Sequence, residues 1–297
     1  MTGKPERSPR LRIADVWRGA AGKLKSSGIE TPDLDARLLL AHAAGMADAG
    51  VLTALDATLE PETADHYDAL IARRRAGEPV SRIIGRRGFW KHDFIVTPDT
   101  LDPRPDSETL VELVLRIVAH EGWEQKEVSL LDIGTGTGCL LLCLLDELPR
   151  ARGTATDISG KALAVARENA GRLRVTDRAT FRKCRWTEGL AGPFDIILSN
   201  PPYIPSGDIN GLMDEVRNHD PHIALDGGAD GLDACRAIAS GAAALQSGGW
   251  LVLEIGAAQH NDVAQILNGS GYDVAVPGFG FTCDLSGTIR CVAGRKK

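Results

Sequence analysis

Apolar residues in the first 85 positions recur at three- and four-residue intervals, the spacing of one buried face on each of several helices. Ile13, Val16, Trp17, Ala20 and Leu24 share such a face, and Gly28 sits where a left-handed C-terminal stop belongs. Thr31-Pro32 reads as an N-cap followed by proline in the first turn, opening a helix through Leu34, Leu38 and His42 to Gly45. Another is predicted from Pro61, with Ala64, Tyr67, Leu70 and Ile71 inward and Gly77 as its stop. Short helices on short connections imply a small helical bundle over residues 1–85.

From Val80 to Pro105 the helical period gives way to Gly, Pro and aromatic punctuation, including Gly85, Gly88, Phe89, Trp90, Phe94 and Pro98. Residues 86–105 read as a linker carrying a short hairpin. Residues 106–297 then alternate between strand and helix patterns. Asp106 is placed to cap a helix with Leu110, Leu113, Val114 and Ile117 inward. Strands are predicted at 128–133, 153–157, 180–184, 195–199 and 250–255, and helices at 139–148, 161–172, 233–245 and 261–267. Such alternation forces parallel pairing with crossover helices. The last two strand-like runs, Tyr272 to Val276 and Thr288 to Ala293, have a Gly-rich turn region and no helix between them, so they are predicted to pair antiparallel. The fold class is therefore α/β: a Rossmann-like, mostly parallel sheet with an antiparallel last strand, behind a small N-terminal helical bundle.

A length of 297 residues suffices for two cores, and 43% hydrophobic with 25% charged residues is the make-up of an ordinary soluble protein. No apolar stretch approaches the roughly 20 residues that span a bilayer, and Met1 to Arg7 lacks the apolar core of a signal peptide, so a cytoplasmic location is expected. A net charge of -6 argues against nucleic acid as the main partner. Cys139, Cys143, Cys184, Cys235, Cys283 and Cys291 show no metal-ligand spacing, and most sit in apolar runs that make them buried free thiols.

The chemistry concentrates at two strand ends. Leu130-Leu131-Asp132-Ile133 runs into Gly134-Thr135-Gly136-Thr137-Gly138 and then into an apolar helix. Glycines are needed where the backbone turns sharply and a ligand must approach it closely. The spacing is G-x-G-x-G, with Cys139 where the third glycine of a dinucleotide loop would fall, which weighs against a dehydrogenase. Asp157 ends the next strand 19 positions after Gly138, where an acid that binds ribose hydroxyls is expected. Asp132 is a candidate to face the cationic sulfonium and amino-acid end of S-adenosylmethionine. A plain strand-to-helix turn capped by Asp157 would use the same residues, but Ser159 can supply that cap.

The second site is Asn200-Pro201-Pro202-Tyr203, directly after the apolar run 194–199. It should project from the carboxyl edge of the sheet, where open α/β folds bind ligands. Two prolines stiffen the backbone and remove two N–H donors, leaving an acceptor-rich corner. An amide or exocyclic amine carries two in-plane N–H groups. The Asn200 side-chain oxygen and the Pro201 carbonyl can take one each, turning the nitrogen's open face toward a methyl group, while Tyr203 packs on the flat group. Amide nitrogen is a poor nucleophile, as its rotation barrier of ~18–20 kcal/mol indicates, so near-attack positioning and polarised N–H bonds must supply the catalysis. No strong base is required, because the proton can leave after transfer. An Asn-Pro turn is common at strand ends, and it is the upstream glycine loop that favours the catalytic reading.

These residues closely resemble the release factor glutamine methyltransferases, the PrmC/HemK family, over nearly the whole chain. The resemblance extends to Glu78-Pro79-Val80, Ile84-Gly85-Arg86-Arg87, Pro103-Arg104-Pro105, Ala224-Leu225-Asp226-Gly227-Gly228, Asp230-Gly231-Leu232 and Leu253-Glu254-Ile255-Gly256. It implies a class I methyltransferase sheet, S-adenosylmethionine as methyl donor, and methylation of the side-chain amide (N5) of the glutamine in the Gly-Gly-Gln motif of class-1 peptide chain release factors. It also implies that residues 1–85 dock the protein substrate, that Trp186 lies along the adenine, and that Asn200 touches both substrate and methyl donor. The chain departs from the family pattern at Arg185, where an acid is usual before the tryptophan, at Asp102, and at Ser107. Arg73-Arg74-Arg75 and Arg86-Arg87 read as a solvated face more readily than as a docking patch for an acidic partner. A DNA or RNA amino-methyltransferase acting on an exocyclic base nitrogen would use the same corner, and a silent methyltransferase fold would serve as a binding module without needing Asn200 or Asp157.

Overall fold

In the computed structural model, which describes residues 11–190, 192–241 and 244–297, the chain divides into two units, one ending at Gly85 and one running from Arg86 to Lys297. The first unit packs α1 (Ile13–Ser26), α2 (Pro32–Ala43), α3 (Asp48–Thr53), α4 (Pro61–Arg75) and α5 (Val80–Ile84), with a short ribbon of β1 (Leu11–Arg12) and β2 (Thr58–Leu59). Leu24, Leu39, Leu40, Tyr67 and Ile71 fill its core. The Tyr67 hydroxyl donates to the Ala36 carbonyl at 2.9 Å, which lets a phenol sit in an apolar interior.

Helix α2 is turned relative to the face predicted for it. Leu34 is exposed and Leu38 half-buried, whereas Ala36, Leu39 and Leu40 point inward. Leucines surround this helix, so the apolar stripe alone does not fix its rotation. An ion pair lies on the buried side: Arg74 donates to Asp35 at 2.7 Å, with side chains only 7% and 8% exposed. Thr31 gives its hydroxyl to the Asp35 carboxylate at 2.8 Å and does not cap the helix backbone. The arginine run is accordingly no uniform solvated face, because Arg74 is buried against Asp35 and Arg73 is paired with Glu78.

The second unit opens with the hairpin β3 (Arg86–Phe89) and β4 (His92–Ile95), then α6 (Glu108–His120). Ser107 occupies the N-cap position of α6, not Asp106, whose carboxylate pairs with Arg290 at 2.8 Å. Alternating elements follow: β5 (Ser129–Ile133), α7 (Cys139–Glu147), β6 (Arg152–Asp157), α8 (Gly160–Leu173), β7 (Ala179–Lys183), β8 (Phe194–Ser199), α9 (Asp214–His219), α10 (Asp233–Gly241), β9 (Leu245–Glu254), α11 (His260–Gly269), β10 (Tyr272–Asp273), β11 (Phe281–Cys283) and β12 (Ile289–Lys296). Leu245, expected at a helix end, begins β9.

The sheet runs β10-β12-β9-β8-β5-β6-β7, parallel from β9 to β7, with β12 antiparallel beside β9. The final pair is longer-range than predicted: β12 takes β9 as its main partner, meets β10 only at Arg295 and Lys296, and pairs β11 on its other part. Every residue of β8 is buried, as a strand covered on both faces must be. Alternation along the strands separates two apolar layers. Leu130, Ile196, Leu198 and Val252 face α6 and α7, and Leu131, Ile197, Leu251 and Leu253 face α10 and α11. Cys139, Cys143, Cys235 and Cys291 are buried in these layers as thiols, whereas Cys184 is half-buried and Cys283 exposed. No described helix is long and apolar enough to cross a membrane.

Asp35→Ala takes from the buried Arg74 guanidinium the carboxylate it donates to, while its bond to the Glu78 carbonyl remains; the loss is expected to cost about 1.5–3 kcal/mol. Native-state hydrogen exchange of α2 and α4 amides measures this directly. A loss under about 1 kcal/mol would show that the pair does not set the packing of α2.

Candidate active site

The carboxyl ends of β5, β6 and β8 open on a cavity of about 440 Å³, within the range of about 300–1,000 Å³ that holds small ligands. Gly134 and Gly136 line it with φ of 72° and 54°, and a Cβ on either would meet no atom within 4 Å. The backbone is thus left bare where a ligand can touch it. Gly138 has a packing role instead: at φ 83° it starts α7, and a Cβ there would come within 3.0 Å of Leu142 and 3.2 Å of Ala166. The Gly134 and Thr135 amides both donate to the Thr156 carbonyl at 2.9 Å, tying the loop to β6. Asn169 holds the Thr137 carbonyl at 2.9 Å.

Asp157 lines the cavity and braces the loop. Its oxygens accept the Gly136 amide at 3.0 Å and the Ser159 amide at 2.8 Å. Backbone amides, that of Ile158 among them, take up part of its accepting capacity and leave the rest for a ligand hydroxyl. Burial raises its carboxyl, against the backbone hydrogen bonds that lower it. The helix cap is supplied by Ser159, which accepts from the Ala162 amide at 3.2 Å. Beside Asp157, Ile158 is 46% exposed on the cavity wall. Trp186 is on the same lining, half-buried against the α10 and α11 layer and held at φ 52°. Arg185, in the place of the usual acid, is exposed there.

Asp132 stands elsewhere than expected. It is fully buried, lies outside the cavity lining, and takes the Thr135 hydroxyl on Oδ2 at 2.6 Å. Its Oδ1 has no hydrogen-bond partner among the described residues. Burial pushes its carboxyl up to about 7, opposed by the Thr135 hydrogen bond.

Asn200 and Pro202 line the cavity, with Pro201 between them in the chain, whereas Tyr203, Thr135, Thr137 and Gly138 are not part of the lining. The corner is clamped from the segment 204–231. Ile204 and Asp226 form a bridge, and the Gly227 amide donates to the Ile204 carbonyl at 2.8 Å. A Cβ on Gly227 would fall 2.8 Å from the Pro202 oxygen, and one on Gly231 2.3 Å from the Tyr203 oxygen, so only glycine permits this approach. Gln259 completes the clamp: its Nε2 donates to the Tyr203 carbonyl at 3.0 Å and its Oε1 accepts from the Gly256 amide at 2.9 Å. The Tyr203 phenol is raised to about 12 by burial and by Glu254.

Three residues of this site carried no assigned role in the sequence reading: Ser107, Glu254 and Gln259. A carboxylate inside the apolar run 250–255 was the available signal for Glu254. It is 2% exposed and Oε2 lacks a partner among the described residues. Burial pushes it up to about 7, with hydrogen bonds from Ser107 and Asn200 acting in the opposite direction.

The sequence matches two family profiles, the "PrmC N-terminal domain" over residues 15–85 and the "Methyltransferase small domain" over 108–215. Proteins named release factor glutamine methyltransferase are similar along most of their length. That of Rhodospirillum rubrum is 47% identical, covering 97% of this chain and 85% of the relative. That of Cereibacter sphaeroides is 45% identical over 96% and 99%, and that of Geobacter sulfurreducens 38% identical over 99% of each. Among solved structures, the hMettl16 catalytic domain in complex with the MAT2A 3'UTR hairpin 6 superposes with a TM-score of 0.52 at 16% identity, over 68% of this chain and 74% of that one, a likeness of fold.

The buried acid at Asp132 gives the site a pH signature. Its carboxyl is raised from 3.8 to about 7 in the folded chain, so the folded state holds a proton that the unfolded state has released across that interval. Stability from this group is present below pH 3.8 and is lost as pH rises to about 7. Asp132→Asn, which still accepts from Thr135, is expected to gain stability relative to the native chain across that window and to run parallel above it. Urea titrations at stepped pH measure the difference, and a constant gap would contradict it.

Proposed function

The chain belongs to the release factor glutamine methyltransferase family, and on that basis we propose that it methylates the N5 nitrogen of the glutamine in the Gly-Gly-Gln motif of class-1 release factors. The observation that carries this reading is the clamped corner: Asn200 at the cavity wall, with the Pro202 and Tyr203 carbonyls fixed by glycine contacts and Gln259. S-adenosylmethionine, when bound, supplies an electrophilic methyl carbon on a sulfonium.

The residues present fit that donor. Gly134 and Gly136 leave bare backbone for the amino-acid portion, Asp157 takes the ribose hydroxyls, and Ile158 with Trp186 offers apolar surface to the adenine. Asp132 holds the loop through Thr135 and acts on the cofactor only at second hand. On the acceptor side, the Asn200 oxygen and the Pro201 carbonyl each accept one N–H of the glutamine amide. Held this way, the nitrogen presents its face to the methyl carbon, and acceptors stabilise the positive charge that develops on it. Tyr203 backs the corner and limits water. The proton leaves after methyl transfer, so no side chain must remove it beforehand. Residues 1–85 are assigned to holding the release factor, a role supported by the N-terminal family match.

Incubation with methyl-labelled S-adenosylmethionine and, separately, release factor, DNA and ribosomal RNA tests the reading. Label is expected on the glutamine. Asn200→Ala should lower kcat by about 10²–10³-fold, the scale for loss of one group that stabilises developing charge, with cofactor affinity unchanged. Label on nucleic acid alone would contradict the substrate, and full turnover by the variant would contradict the role of Asn200.

A further inference from the structure

The side-chain amide of Asn200 has two ends of almost the same size, and the proposed chemistry needs the oxygen end toward the substrate. Something must hold the nitrogen end away. The Asn200 Nδ2 donates to the Ser107 hydroxyl oxygen at 3.1 Å. Ser107 is 3% exposed, and having accepted that hydrogen bond it still has its own proton to give.

Glu254 lies where both can reach it. Strands β8 and β9 run parallel with Ser199 opposite Leu253, so Asn200, the first residue past β8, lies level with Glu254, the last residue of β9. Ser107 and Asn200, as hydrogen-bond donors, both lower the Glu254 carboxyl, which is acceptor-only when ionised and keeps one accepting oxygen when protonated. One N–H of the Asn200 amide is thus held by the Ser107 hydroxyl, and the Glu254 carboxylate beside it is the acceptor within reach of the other. We propose that Glu254 is a positioning residue for methyl transfer: with Ser107 it fixes the polarity of the Asn200 amide, nitrogen inward and oxygen toward the acceptor nitrogen. This rests on the function proposed above.

A purely structural role fits poorly. Burying a carboxylate costs stability, and a well-packed apolar side chain commonly does better at such a place. Glu254 has no ion pair among the described residues, although the charge of Arg290 also lowers it. Arg290 is the nearby base, and its guanidinium binds Asp106 at 2.8 Å and Asp284 at 2.9 Å. The other groups facing Glu254 are Tyr203, Cys139 and Cys291, none of them cationic. A negative charge behind Asn200 also makes its amide oxygen a stronger acceptor as positive charge grows on the substrate nitrogen. The ionised form is therefore the more active one.

The test uses the full chain with S-adenosylmethionine and a release factor. Glu254→Ala is expected to lower kcat about 10²-fold, while KM for the release factor and cofactor affinity stay within about twofold. Glu254→Gln keeps an oxygen that can accept from Asn200 and should recover about tenfold over the alanine variant. The native kcat/KM should rise with pH through about 7, and Glu254→Gln should lose that rise. Should Glu254→Ala not fold, Ser107→Ala provides the second reading: a reduced kcat that keeps the pH dependence. Native turnover with unimpaired Glu254 variants would overturn this inference alone, as would a Gln variant no better than Ala that retains the pH rise. Absence of glutamine methylation by the native chain would overturn the function itself.

Discussion

The register of β8 against its two neighbours governs the site. Leu198 lies opposite Asp132 on β5 and Val252 on β9, and the Ser199 hydroxyl donates to the Ile133 carbonyl at 2.7 Å. Asn200, the glycine loop and Glu254 consequently emerge at one level of the sheet edge. A slip of one residue would send each side chain of β8 to the opposite face, placing apolar residues of one layer in the other. The two buried layers thus enforce the alignment that the chemistry uses.

Past that edge, rigidity comes from backbone contacts. Prolines restrict the corner's torsions, but they do not anchor its carbonyls. The anchors are Gly227 and Gly231, which let two chain segments approach more closely than any Cβ would allow, and Gln259, which bridges the Gly256 amide and the Tyr203 carbonyl. Arg104 and the Asp102 amide meet the buried Asp220 carboxylate, tying the segment before α6 to the segment that follows the corner. The glycine loop is braced in the same manner by Asp157 and the Thr156 carbonyl. A nucleophile as weak as an amide nitrogen needs its partners fixed before it arrives, and these contacts do that ordering during folding.

Much of this was legible in the chain. Alternating strand and helix patterns pointed to parallel pairing, though not to the strand order, because β5 and β8 carry the continuous apolar runs of strands buried on both faces. Gly28 and Gly77 end helices at positive φ, as their positions predicted. What escaped lacked a period or depended on distant partners. Helices α3 and α5 are six and five residues long, too short to show a repeat. The rotation of α2 accompanies Arg74, 39 positions away from Asp35. Asp106 looked like a cap but is drawn to Arg290 on β12. At the site, glycines and prolines announced themselves by type, whereas Ser107, Glu254 and Gln259 matter through neighbours that only the folded sheet provides.

A flat carboxamide held by two oxygens is the core of the account, and a structure with S-adenosylhomocysteine and a Gly-Gly-Gln peptide bound tests it most directly. The glutamine nitrogen should lie about 2.7–3.2 Å from both the Asn200 Oδ1 and the Pro201 carbonyl, with the Asn200 Nδ2 still on Ser107. An Asn200 side chain turned from the peptide, or a glutamine seated away from this corner, would contradict it.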